Sequence, residues 1–136
     1  MNSGQNFILV SAPSKAGEAF VRLLAAHRLP FAVIVNNKRE EARMAELGAE
    51  RIIMIDTSEE STWRLPDFPV GKIFLFESSF NLCCRYVRIC SPWSQEPIYV
   101  ITHSNHPRLV YRGLGASFVI HTNSDEVSFL LHALVG

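Results

Sequence analysis

Phe7-Ile8-Leu9-Val10-Ser11-Ala12-Pro13-Ser14-Lys15-Ala16-Gly17, running on into Glu18-Ala19-Phe20-Val21-Arg22-Leu23-Leu24, reads as a buried strand, a tight turn and the start of a helix. It stands where a dinucleotide-binding fold keeps its phosphate turn. Set against G-x-G-x-x-G, the three positions are Ala12, Ser14 and Gly17, so only the last glycine is present, the one that lets helix and strand pack closely. The helix start still offers unpaired N–H groups and a partial positive charge to an anion. Ser14 and Lys15 add a hydroxyl and a cation, whereas Pro13 removes a donor and the Cβ of Ser14 stands where backbone should approach a pyrophosphate.

Beyond this turn, continuous apolar runs alternate with segments of helical period, the pattern of a parallel sheet covered on both faces. Strands are expected at 7–11, 31–35, 51–55, 72–76, 98–102 and 117–120, with helices over 15–27, 39–47, 80–90, 107–114 and 124–134. Gly48 is a natural left-handed stop for the second helix, and Ser124 is the expected N-cap of the last. Residues 56–70, with Trp63, Pro66 and Pro69, are too irregular for more than a short helix. Right-handed crossovers then give an α/β fold, a doubly wound parallel six-stranded sheet in the order 3-2-1-4-5-6. Its ligand crevice lies beyond the carboxyl ends of strands one and four. That gathers Ala12 to Gly17, Asn36 to Arg39, Asp56-Thr57 and Glu77-Ser78-Ser79 around one cleft.

The chain is 136 residues long, the size of a single domain over 1–136, with 48% hydrophobic and 19% charged residues, so it belongs to the globular class. Thirteen basic side chains balance thirteen acidic ones, which argues against nucleic acid or an anionic membrane as the main partner and suits self-association. The first residues carry no basic and apolar leader, and no apolar run is long enough to span a bilayer; a cytoplasmic protein without membrane insertion is expected. Cys83, Cys84 and Cys90 lie on one expected helix and are expected as reduced thiols.

Several cleft residues have two open readings. Asn36 stands where an NAD site carries an acid about 20 residues past the glycine turn. Its amide can bond a ribose hydroxyl, and Lys38 and Arg39 could neutralise a 2′-phosphate or another anionic group, which tilts any nucleotide preference toward a phosphorylated ribose; alternatively Asn36-Asn37 is a turn and Lys38-Arg39-Glu40-Glu41 a solvated helix start. Asp56 either meets an adenine amino group or ribose hydroxyl, or caps a short helix. Glu77 would repel a phosphate unless it points away, and Ser78 or Ser79 caps the helix that follows. Cys83 and Cys90 read as core packing rather than metal ligands, and His103 and His106 as turn or solvent residues rather than catalysts. No Tyr-x-x-x-Lys pair, G-x-S-x-G elbow or H-E-x-x-H helix is present, so action by binding or assembly is expected rather than catalysis.

Three stretches carry a family resemblance: Arg39-Glu40-Glu41-Ala42-Arg43-Met44-Ala45-Glu46-Leu47-Gly48-Ala49-Glu50-Arg51-Ile52-Ile53; Ile55-Asp56-Thr57; and Pro107-Arg108-Leu109-Val110-Tyr111-Arg112-Gly113-Leu114-Gly115-Ala116. In this order they resemble the RCK/KTN domain, the TrkA-N type of Rossmann-like regulatory module of potassium channels and transporters. Glu46-Leu47-Gly48-Ala49 is also similar to the cofactor domain of medium-chain dehydrogenases. The resemblance implies a dimeric domain that binds NAD(H) or an adenine nucleotide and passes its occupancy to a partner such as a transporter. With Ala12, Ser14 and Asn36 departing from the family pattern, reduced or lost NAD binding is part of that expectation. The residues expected at the nucleotide are Ala12, Ser14, Lys15 and Gly17 at the phosphates, Asn36 and Lys38 at the ribose, and Asp56 at the adenine. An NAD(P)-dependent reductase fragment with a partner subunit, and a ligand-free assembly subunit that dimerises through the last helix, are the alternatives.

Overall fold

The structure, a computed structural model, describes residues 6–105 and 108–135. Six parallel strands, β1 (Phe7–Ser11), β2 (Phe31–Val35), β3 (Ile52–Met54), β4 (Val70–Phe76), β5 (Ile98–Thr102) and β6 (Phe118–His121), form one sheet in the order β3-β2-β1-β4-β5-β6, as expected from the sequence. Leu9 pairs with Ala32 on one side and with Ile73 on the other, which puts β1 at the centre, where the winding changes direction. All five residues of β2 are buried, the consequence of a strand covered on both faces.

Alternation along each strand divides the core in two. Ile8, Val10, Val33, Val35, Phe74 and Phe76 face α1 (Lys15–Ala26) and α2 (Lys38–Glu46), which contribute Phe20, Leu24 and Met44. Leu9, Ile34, Ile73, Leu75 and Val100 face α3 (Phe80–Cys90) and α4 (Arg108–Leu114), which contribute Tyr86, Val87 and Tyr111. Cys83 and Cys90 are buried in this second layer, as the core reading requires. The helices start on side-chain caps: Ser14 Oγ accepts from Gly17 N–H, Asn37 Oδ1 from Glu40 N–H and Ser79 Oγ from Leu82 N–H. Gly48, at φ +104° just past α2, closes that helix in the left-handed region.

Helix and strand ends shift by a residue or two from expectation. β3 is trimmed to Ile52–Met54, although Arg51 carbonyl and Ile55 N–H still bond β2, and β4 begins earlier, at Val70. The expected start of α4 at Pro107 lies outside the described residues.

The C-terminal segment differs more. A continuous helix over 124–134 capped by Ser124 does not form; a 3-10 turn over Ser128–Leu131 leads into α5 (His132–Val135). Ser124 Oγ takes Glu126 N–H at 2.9 Å and Glu126 Oε1 takes Ser128 N–H at 2.8 Å. These local side-chain bonds occupy the donors of the would-be first turn, so the helix starts late. Val127 and Leu130 pack into the protein's own core beside α1, so Leu130 is not free to form an interface.

Phe20 is fully buried between strand and helix, its ring 4.8 Å from Phe74 and 5.6 Å from Phe76. Phe20→Ala is expected to lower unfolding free energy by roughly 3–5 kcal/mol in urea titrations, and a loss under 1 kcal/mol would show that this layer collapses around the void.

Candidate functional site

The crevice is set by one close approach. A Cβ built on Gly17 would stand 2.7 Å from Ala12 Cα and 2.9 Å from Ala12 Cβ, so the first turn of α1 lies directly on the end of β1. Only glycine allows this. Arg28 is the one non-glycine residue with positive φ among the described residues, so Ala12 and Ser14 hold the turn without the conformations that need glycine. The turn keeps its shape with one glycine.

Ser14 sits at the N-cap in extended conformation and its hydroxyl, 3.1 Å from Gly17 N, is engaged with the helix. Lys15, the first helical residue, is exposed. At the end of β2, Asn36 is half-buried and Lys38 exposed at the start of α2. Asn36 Oδ1 accepts from Asn37 Nδ2 at 3.0 Å, while Asn36 N–H donates to Glu40 Oε1 at 3.3 Å. Asp56 is exposed after β3; Ser58 N–H and Oγ donate to its Oδ1 at 2.9 and 2.6 Å and hold its carboxyl below the usual carboxylate range. It shapes a turn that leads to a short 3-10 stretch, Glu60–Thr62.

A cavity of about 310 Å³ opens between the phosphate turn and α2, lined by Ala12, Pro13, Glu18, Asn37, Arg39, Glu40, Arg43 and Met44. Of the seven residues expected at a nucleotide, Ala12 alone lines it. Ser14, Gly17 and Asn36 adjoin lining residues in the chain, and Asp56 lies two strands away from β1 beyond β3. Arg43 is spent on an ion pair, with guanidinium nitrogens 2.9 and 3.2 Å from the carboxylate of Glu18 and 3.3 Å from Glu46. Glu40 has no such cation. Burial pushes its carboxyl up, against the opposing pull of Asn36 N–H. Asn37 and Glu40 have the spacing of a capping box, the signal that a reading of this segment as a solvated helix start passed over.

A second cluster lies beyond the ends of β4 and β5. Glu77 is buried, and its Oε1 accepts from Thr102 Oγ1 and Ser104 Oγ, both at 2.7 Å, while Oε2 accepts from the Tyr111 hydroxyl. The carboxylate is therefore tied to β5, the loop after it and α4. Burial and the bond to Glu77 push the Tyr111 hydroxyl up strongly; burial pushes the Cys83 thiol up to about 12 and Cys90 higher still. Tyr86, in the same layer, has a buried hydroxyl without a hydrogen-bond partner among the described residues. His103 is a turn residue: Nδ1 bonds the Thr122 carbonyl and Nε2 lies 3.6 Å from Asp125. His106 lies outside the described residues.

No protein-family model and no curated protein matches this sequence. Solved structures do match in fold. The TrkA-N domain of the Escherichia coli inner membrane protein ybaL superposes with a TM-score of 0.69 at 16% identity, covering 96% of this chain and 97% of that one. The NAD(P)-binding domain of an exopolyphosphatase-related protein from Archaeoglobus fulgidus gives 0.68 at 18% identity, with 96% and 97% covered. The GsuK channel bound to NAD gives 0.67 at 14% identity; 88% of this chain is covered, and it spans 22% of the GsuK chain. The expected resemblance to RCK and TrkA-N domains therefore holds at the level of the fold. No described helix is long and apolar enough to cross a membrane.

Two predictions arise from this geometry. Gly17→Ala forces a Cβ onto Ala12 and is expected to cost roughly 1–3 kcal/mol in urea unfolding, with an unchanged midpoint counting against the close packing. Cys83 and Tyr111 have folded pKa values above their unfolded ones, so their contribution is fully present below about pH 9 and is lost as pH rises toward about 12. Urea midpoints measured from pH 8 to 11 are expected to fall steadily above pH 9 and to stay flat below it.

Proposed function

We propose that this chain is a cytoplasmic regulatory module of the RCK/TrkA-N type, a single domain over 1–136, that binds NAD(H) or a related adenine nucleotide and passes its occupancy to a partner. The observation that carries this reading is the contact of Gly17 with Ala12, which seats the electropositive start of α1 on the end of the central strand, next to a cavity bordered by Ala12 and Pro13. The lysine of the turn, Lys15, and the free backbone donors of the first turn of α1 serve the phosphates, with Ser14 Oγ turning from its cap to join them. Asn36 and Lys38 flank the ribose, and Asp56 marks the adenine end.

The occupancy signal needs a second body, and a homodimer or a transporter subunit supplies it in this reading. The solved relatives described as an NAD(P)-binding domain and as a channel bound to NAD support the class of ligand. Catalysis is not part of the proposal.

Thermal unfolding of the purified protein against NAD(H), NADP(H), ATP and AMP tests the proposal. Ligand at 100 times its dissociation constant is expected to add about 2.7 kcal/mol of stability. No shift with any of them at millimolar concentration would remove the nucleotide and leave a ligand-free assembly subunit.

A further inference from the structure

Glu40 is a carboxylate in an unusual place. The acid that holds ribose hydroxyls in a dinucleotide-binding fold stands at the end of the second strand, and this chain has Asn36 there. From the first turn of α2, Glu40 reaches back past its cap residue and takes the N–H of Asn36 itself, 3.3 Å from Oε1. In an ordinary capping box the bond would go to the N–H of the cap, Asn37. The longer reach carries a negative charge to the strand end.

Three further observations separate this arrangement from a simple cap. Glu40 lines the cavity together with Ala12 and Pro13 of the phosphate turn and with Glu18, Arg39 and Arg43. No basic side chain pairs with it among the described residues; of the two arginines that share its cavity, Arg43 is held by Glu18 and Glu46, and Arg39 is exposed. Burial opposes its charge, yet one hydrogen bond leaves most of its acceptor positions unused. A half-buried carboxylate with spare acceptors and no cation is matched by vicinal hydroxyls, which donate two hydrogen bonds to one carboxylate. A phosphate there would face like charge.

Resting on the nucleotide-binding reading above, we infer that Glu40 takes over the role vacated at Asn36 and accepts the 2′- and 3′-hydroxyls of an unphosphorylated ribose, so that the site selects NAD(H) against NADP(H). Lys38 and Arg39 then lie outside the diol contact as solvated cations.

Fluorescence titration of the full chain with NADH and with NADPH tests this. Wild type is expected to bind NADH at least about tenfold more tightly than NADPH. Glu40→Gln keeps the volume and an oxygen for Asn36 N–H but removes the charge; it is expected to weaken NADH at least about tenfold, to erase the preference, and to melt no lower than wild type without ligand. Placing the acid back at the strand end, Asn36→Asp in the Glu40→Gln background is expected to restore NADH binding. Equal NADH affinity for wild type and Glu40→Gln, a wild-type preference for NADPH, or no rescue by Asn36→Asp overturns the inference while leaving nucleotide binding intact. Failure of wild type to bind either dinucleotide overturns the inference, and failure to bind ATP or AMP as well overturns the functional reading itself.

Discussion

The close seat of α1 on β1 governs the geometry of everything at the carboxyl edge. With Gly17 against Ala12 there is no room for a side chain between helix and strand, so the path from Ser11 to Lys15 is a turn of fixed shape. That turn decides where the helix start points, and the neighbouring strands β2 and β4 decide what surrounds it. The other two glycines of the usual pattern serve a different need, namely φ freedom and backbone access to phosphate. Here the residues in their places adopt ordinary backbone conformations, so the scaffold survives their loss even though the approach to a phosphate changes.

The two sides of the reversal point are chemically unlike. On the β5 and α4 side, Glu77 collects three hydroxyl donors and is closed off, a satisfied buried network that locks two strands and a helix together. On the α2 side, Glu40 collects one backbone donor and borders open space. Both carboxylates lie near the ends of central strands, but one is complete and the other is not. A polar group that is costly to bury and incompletely paired is where a binding partner adds most.

The sheet order was readable because β2 is an uninterrupted apolar run and because Pro30, Gly48 and Ser79 punctuate the elements next to them. Those signals are local. The fault in the last helix is local too: Ser124, Asp125 and Glu126 suit a helix start by type, but Ser124 and Glu126 close tighter turns instead. The site was less legible because its decisive contacts are not local. Glu77 and Tyr111 are 34 positions apart, and nothing in either segment announces the other. Glu40 reads on a charge pattern as one of four solvated residues, and its bond to the Asn36 N–H and its place in the cavity wall distinguish it from Glu41.

Ser14 poses the sharpest question about this turn, since its hydroxyl occupies Gly17 N–H, a donor that a phosphate would use. The energies settle the competition. A neutral hydroxyl-to-amide bond contributes about 0.5–1.5 kcal/mol net, whereas a hydrogen bond to a charged acceptor contributes about 1.5–3 kcal/mol, and the helix start adds its own attraction for negative charge. In the proposed nucleotide complex a phosphate oxygen would therefore displace Ser14 Oγ from Gly17 N–H, and the released hydroxyl, by rotating about one bond, would donate to the same phosphate. On the proposed function, self-capping and anion binding would be two states of one side chain: the observed first holds the turn in shape, and the second would use the donor that the first keeps ready.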